Sequence, residues 1–134
     1  MCEDCNQSYI LKYNEWCQPC YSHYFQNNFK KWTSKNIEID RFLQEIQCKA
    51  DSPNKIIEWI PYNRLEIISQ IGKGGFGTVF SAIWLDGPIR SWNINNQNWN
   101  RILYYPVALK FLKNSNNLLL KEVSYYLYLS MLFL

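Results

Sequence analysis

Several features are scarce in this sequence. It holds one histidine, five glycines and five prolines among 134 residues, and only 19% of its residues are charged. The formal net charge is +3, which is too small to require a polyanion, so we expect no nucleic-acid partner. No apolar run reaches the roughly 20 residues of a membrane span, and no apolar signal-peptide core follows Met1. We therefore expect a cytoplasmic chain without a membrane partner.

Cysteine is concentrated at the N-terminus. Two Cys-x-x-Cys pairs, Cys2 with Cys5 and Cys17 with Cys20, are separated by eleven residues. This spacing is close to that of two knuckles that close a tetrahedral thiolate site. Because a reducing compartment disfavours disulfides, the pattern predicts zinc held by these four thiolates.

One detail leaves alternatives to this zinc site open. A knuckle usually turns left-handed after its second cysteine, which Asn6 tolerates but Tyr21 does poorly. The cysteines could therefore be free, and His23 could replace one ligand, although a surface histidine is the simpler interpretation. Cys48 stands alone and is expected to be a small apolar residue on a helix.

Helical patterns follow the cysteines. The segment after Cys20 is aromatic and basic, but Phe25, Phe29 and Trp32 fall at helical spacing, which favours packing over base stacking. A second helix is predicted after the capping residue Asn36. Its apolar stripe consists of Ile39, Phe42, Leu43 and Ile46.

A glycine-rich run stands at residues 71–79, and an apolar strand ending in lysine stands at 107–110. The run reads Ile71-Gly72-Lys73-Gly74-Gly75-Phe76-Gly77-Thr78-Val79, and the strand reads Val107-Ala108-Leu109-Lys110. Since β-branched and aromatic residues follow the third glycine, a hairpin is predicted rather than the helix of a dinucleotide-binding fold. The two motifs together resemble the nucleotide-binding half of the eukaryotic protein kinase family. The lead-in at 59–61, Trp-Ile-Pro, is similar to that of tyrosine-kinase-like kinases.

The resemblance implies ATP binding and assigns a role to each motif residue. It implies phosphate contacts from Gly72, Gly74 and Gly77, and a phosphate-binding Lys110 oriented by Glu122. Ile71, Val79 and Ala108 would contact the adenine, Phe76 would close over the phosphates and exclude water, and Gly75 belongs to the same nucleotide-binding run. Glycine suits the run because a Cβ would obstruct backbone N–H groups that approach phosphates. Glu122 is only twelve positions from Lys110, so it could instead be a solvated helix residue.

The resemblance covers residues 59 to about 122 and no catalytic loop. No aspartate follows Asp86, whereas a kinase needs one to orient the acceptor hydroxyl and one to hold magnesium. We expect no phosphotransfer by this chain alone. A full-length parent would transfer the ATP γ-phosphate to a serine, threonine or tyrosine hydroxyl of a protein substrate. The rival hypothesis is a non-catalytic, zinc-stabilised protein-interaction module with a vestigial kinase lobe.

The predicted fold class is α+β. It consists of an incomplete kinase N-lobe, with an antiparallel β-sheet and a partial αC helix, preceded by a small Cys-rich segment and an amphipathic helix. The expected boundaries are 1–32 for a zinc-ribbon-like segment, 33–58 for the helix and linker, 59–124 for the lobe and 125–134 for an apolar tail. The tail is expected to mark a truncated gene model or a natural short product.

An asparagine-rich insertion at 92–100 interrupts the lobe between its second and third predicted strands. Polar insertions in hairpin loops cost little closure entropy, so a loop folded over itself is expected. The alternative is a docking surface formed by Trp92 and Trp99.

Overall fold

Two α-helices and five β-strands account for most of the regular structure in the described part of the chain. The computed structural model describes residues 1–7, 16–74 and 77–112. The elements are α1 Gln18–Asn28, α2 Ile37–Lys49, β1 Leu65–Gly74, β2 Gly77–Trp84, β3 Ile89–Asn93, β4 Asn98–Arg101 and β5 Tyr105–Leu112. These strands pair in an antiparallel manner, so the predicted α+β class is confirmed. The predicted tail at 125–134 lies outside the described residues.

The chain divides into two compact units. The N-terminal unit comprises Met1–Ile57 and Ile89–Arg101, and the sheet unit comprises Glu58–Pro88 and Ile102–Leu134. Residues 89–101 are predicted to belong to the lobe at 59–124, whereas in the structure they group with the N-terminal unit.

Helix α2 begins at the predicted capping residue. The Asn36 side-chain oxygen accepts hydrogen bonds from the backbone N–H groups of Glu38 and Ile39, at 2.9 and 3.2 Å. Leu43 is buried as expected, but the predicted stripe is wrong at Phe42, whose side chain is 48% exposed. The polar Gln47 is buried instead, because its amide donates to the carbonyl of Ile57 at 2.9 Å.

Hydrogen bonds to the Asp40 side chain connect the first turn of α2 to the segment that precedes the helix. The Asp40 carboxylate accepts from Thr33 Oγ1 at 2.6 Å and from the backbone N–H of Ser34 at 2.8 Å. Burial by itself would raise the pKa of Asp40, but the hydrogen bonds from Ser34 and Thr33 outweigh it and leave the pKa lowered. The ionised carboxylate is therefore the form that stabilises the folded state.

We expect Asp40→Asn to lower the free energy of unfolding by about 1–2 kcal/mol at pH 7. A lowered folded-state pKa gives stabilisation that is present above the unfolded pKa of about 4 and is lost as the pH falls through the folded value. The difference from wild type should therefore shrink in acid. Urea unfolding across this pH range measures it, with exposed Glu38→Gln as the control, and a difference independent of pH would contradict the assignment.

The asparagine-rich insertion forms a β-hairpin that packs against helix α1. We call residues 89–101 the inserted hairpin; strands β3 and β4 pair with Trp92 opposite Trp99. Trp92 stacks on Tyr24 with ring centroids 4.4 Å apart, and Trp99 stacks on Phe25 at the same separation. Both partners belong to α1. The expectation of a loop folded over itself is therefore wrong, because its two tryptophans complete the aromatic core of the N-terminal unit.

The described part of the sheet unit contains three strands in the order β1-β2-β5. One face of the sheet carries a small apolar core, whose buried members are Ala82, Trp84, Val107 and Leu109. The β1–β2 turn joins Gly74 to Gly77 as cross-strand partners. The glycine-rich run therefore lies in a hairpin, as predicted, and does not open a helix.

Candidate functional site

The four N-terminal cysteines converge on one point. The sulfur atoms of Cys2, Cys5, Cys17 and Cys20 all lie within 4.8 Å of one another. Cys2 and Cys17 are buried, Cys20 is half-buried and Cys5 is exposed. The structure thus brings together the ligand set that the spacing predicts, and these four cysteines could hold a metal ion such as zinc.

The first pair is shaped by a short turn. The backbone N–H of Asn6 donates to the carbonyl of Cys2 at 2.8 Å, and the N–H of Cys2 donates to the carbonyl of Gln7 at the same distance. Asn6 has a φ of 59°, the left-handed conformation that asparagine tolerates. Asn6 therefore adopts the left-handed turn that the sequence allows after the second cysteine.

The second pair uses a helix instead of a knuckle. Cys17 immediately precedes α1, and Cys20 lies in its first turn, where the N–H of Tyr21 donates to the carbonyl of Cys17 at 2.9 Å. Since Tyr21 is helical, it has no need of a left-handed turn. The bulk of Tyr21 is therefore no obstacle to a metal site at the second Cys-x-x-Cys pair.

Two of the sulfur–sulfur separations match those of a tetrahedral metal site. The Cys2 and Cys20 sulfurs are 3.8 Å apart, and the Cys5 and Cys17 sulfurs are 3.6 Å apart. A zinc–sulfur bond of about 2.3 Å in tetrahedral geometry places neighbouring sulfurs about 3.8 Å apart. A disulfide needs about 2.05 Å, and all four cysteines are free thiols.

The thiols differ in their acidity. Burial raises the pKa of Cys17 and of Cys20, whereas a hydrogen bond with the backbone of Gln7 lowers the pKa of Cys5. Because a metal binds thiolates, loading the site must release protons from Cys17 and Cys20.

The remaining candidate ligands lie elsewhere. His23 is exposed on α1 and does not belong to the cysteine cluster, in keeping with a surface histidine. Cys48 lies near the end of α2, also outside the cluster. Within the described ranges, only the two Cys-x-x-Cys pairs form such a group of ligands.

A second candidate site lies on the sheet unit, on the face opposite its apolar core. Gly72 of β1 lies opposite Val79 of β2, and Val79 lies opposite Lys110 of β5. Directly opposed residues of an antiparallel pair project to the same face. Ala108 projects to this face as well, because it lies two positions before Lys110 on β5. The strand pairing thus places Val79, Ala108 and Lys110 together.

Ile71 and Gly77 belong to the same glycine-rich run. Ile71 falls at an irregularity in the β1–β2 register and its side chain is 60% exposed. Gly77 has a φ of 142°, which side-chain-bearing residues rarely adopt. Gly75, Phe76 and Glu122 lie outside the described residues.

Comparisons of the chain with models of known families, with curated proteins and with solved structures give no match. Among the described residues, no helix combines the length and apolar character needed to cross a bilayer.

Two residues beside the cysteine cluster are absent from the sequence-based predictions. The Tyr24 hydroxyl donates a hydrogen bond to the carboxylate of Asp4, which lies between Cys2 and Cys5. Burial and the Asp4 carboxylate raise the pKa of Tyr24, so its hydroxyl stays protonated. Helical spacing of Tyr21, Tyr24 and Phe25 could have indicated a shared aromatic face, but no local pattern links Tyr24 to Asp4.

Proposed function

We propose that the sheet unit is the ATP-binding β-sheet of a protein kinase N-lobe. One observation carries the proposal: Gly72, Val79 and Lys110 lie in a row across three antiparallel strands, in the order that the kinase resemblance requires. Val79 and Ala108 offer apolar surface for the adenine ring, and the Lys110 ammonium would bind the α- and β-phosphates.

The glycines of β1 fit a role in ligand approach. Among the described residues, a Cβ added at Gly74 would meet no atom within 4 Å, and one at Gly72 would meet only Val79 at an ordinary 3.9 Å. The packing of the chain therefore leaves space for side chains at both positions. The absence of side chains at Gly72 and Gly74 is explained if the backbone N–H groups there must approach a phosphate closely.

For this segment we propose nucleotide binding, and for a full-length parent we propose phosphoryl transfer to a protein hydroxyl. Magnesium, when bound, would neutralise charge on the β- and γ-phosphates. The sequence includes no aspartate after Asp86 that could hold it. Glu122 remains the proposed partner of Lys110.

Calorimetry with Mg-ATP tests the binding proposal. We expect Lys110→Ala to weaken the affinity at least about tenfold, because it removes a charge-assisted contact worth about 1.5–3 kcal/mol. Lys31→Ala removes an exposed lysine of the N-terminal unit and is the matched control. Wild-type protein that binds no nucleotide, or a Lys110→Ala variant that binds it as tightly, would overturn the proposal.

A second proposal concerns the N-terminal unit, which we infer to be a zinc-stabilised module in a reducing compartment such as the cytoplasm. The observation that favours it is the convergence of four free thiols whose sulfur atoms all lie within 4.8 Å of one another. No ligand position is left open, which is typical of structural rather than catalytic zinc. Metal analysis of purified protein should give one zinc per chain, and metal-free, folded protein would exclude this role. Stoichiometric zinc without nucleotide binding would favour a protein-interaction module.

A further inference from the structure

Helix α1 contacts both the cysteine cluster and the inserted hairpin. Its first turn supplies Cys20, while its buried residues Tyr21, Tyr24 and Phe25 contact the tryptophans of the hairpin. The same short helix therefore forms part of the candidate metal site and part of the surface on which the hairpin packs.

Tyr24 makes the first connection between the two. Its hydroxyl donates to the carboxylate of Asp4, within the turn that holds Cys2 and Cys5. Its ring stacks on Trp92, with an interplanar angle of 13°. A change in the position of this turn must therefore shift the Tyr24 ring, against which Trp92 packs.

Tyr21 makes the second connection. It directly follows Cys20, and its hydroxyl accepts a hydrogen bond from the backbone N–H of Trp92 at 3.0 Å. Its ring also meets the edge of Trp99 with centroids 5.8 Å apart. Both Cys-x-x-Cys pairs are thus linked to the inserted hairpin through a tyrosine, by independent contacts.

We propose that metal binding by the four cysteines and docking of the inserted hairpin are one coupled equilibrium. Metal fixes the first turn of α1 against the 2–7 turn, and this arrangement positions Tyr21 and Tyr24 for Trp92. By linkage, the docked hairpin raises metal affinity by the same factor by which metal favours docking. Tyr21, Tyr24 and Trp92 are accordingly positioning residues for the metal site, and the inference rests on the proposed zinc-stabilised module.

Hydrogen exchange of the wild-type protein tests the coupling directly. Chelation of the metal should remove protection from the amides of residues 89–101, including the Trp92 N–H, together with those of α1. The β1–β2 amides of the sheet unit are the internal reference. Loss of protection in α1 with unchanged protection in the inserted hairpin would overturn the coupling.

Metal affinity supplies the reciprocal test, measured by competition with a chromogenic chelator. We expect Trp92→Ala to weaken zinc binding about tenfold, a typical size for coupling between two sites, while Trp92→Phe keeps the stacked ring and stays within about twofold of wild type. Trp59→Ala, in the sheet unit, is the control. Unchanged affinity in Trp92→Ala would overturn the coupling alone, whereas a wild-type protein that binds no zinc would overturn the zinc-stabilised module as well.

Discussion

Cys20→Ala is expected to abolish stoichiometric zinc binding and the cooperative unfolding transition of the N-terminal unit. Structural zinc contributes about 10–16 kcal/mol of apparent binding free energy in zinc-finger peptides at pH 7. Among the residues that the structure describes, the aromatic core of this unit has only five buried members, Trp16, Tyr21, Tyr24, Phe25 and Ile89. A core this small cannot offset the loss of a metal cross-link. Metal analysis and circular dichroism during thermal unfolding measure the two effects.

Cys48→Ala is the matched control, since it removes the one cysteine outside the cluster. Its side chain is only half-buried, so we expect full zinc content and a small change in stability. Equal zinc loss in the two variants would contradict the assignment of Cys20 as a ligand. So would a Cys20→Ala variant that retains both its zinc and its unfolding transition.

Gly87→Ala is expected to cost about 3 kcal/mol or more in the free energy of unfolding of the sheet unit. Gly87 has a φ of +68°, and a Cβ there would lie 1.7 Å from the carbonyl oxygen of Ile102. The two segments are also joined by a main-chain hydrogen bond, in which the N–H of Ile102 donates to the carbonyl of Pro88 at 3.1 Å. The substitution therefore combines backbone strain with a clash between main-chain atoms.

Gly74→Ala provides the control for this effect. A Cβ at Gly74 meets no atom of the described part of the chain within 4 Å, so the unfolding free energy of Gly74→Ala should stay within about 0.5 kcal/mol of wild type. Urea unfolding of the two variants makes the comparison. If both glycines tolerate alanine equally, the close approach of Gly87 to Ile102 is not a determinant of stability.

Local features of the chain could be predicted from sequence because their causes are local. Asn36 caps α2 with its own side chain, and the glycines of 71–79 form a hairpin because strand-forming residues follow them. The cysteine site was predictable for a related reason: metal geometry constrains the spacing of its ligands.

Features set by distant partners were not predictable in the same way. Nothing in the segment around Trp92 and Trp99 indicates that its partner is a helix some 70 positions earlier; the Tyr21–Trp92 bond spans 71 positions. The burial of Gln47 has the same origin. Helical spacing gives an apolar stripe, but the carbonyl of Ile57 selects Gln47 for the buried position.

The division of the chain into units has a practical consequence for dissecting it. A single cut near residue 58 leaves Trp92 and Trp99 on the C-terminal fragment, although their ring partners Tyr24 and Phe25 are on the other. Such a fragment would present unpaired indole surface to solvent, a common cause of self-association during expression. A workable truncation would exchange 89–101 for a short turn, and an N-terminal fragment would need the hairpin supplied as a separate peptide.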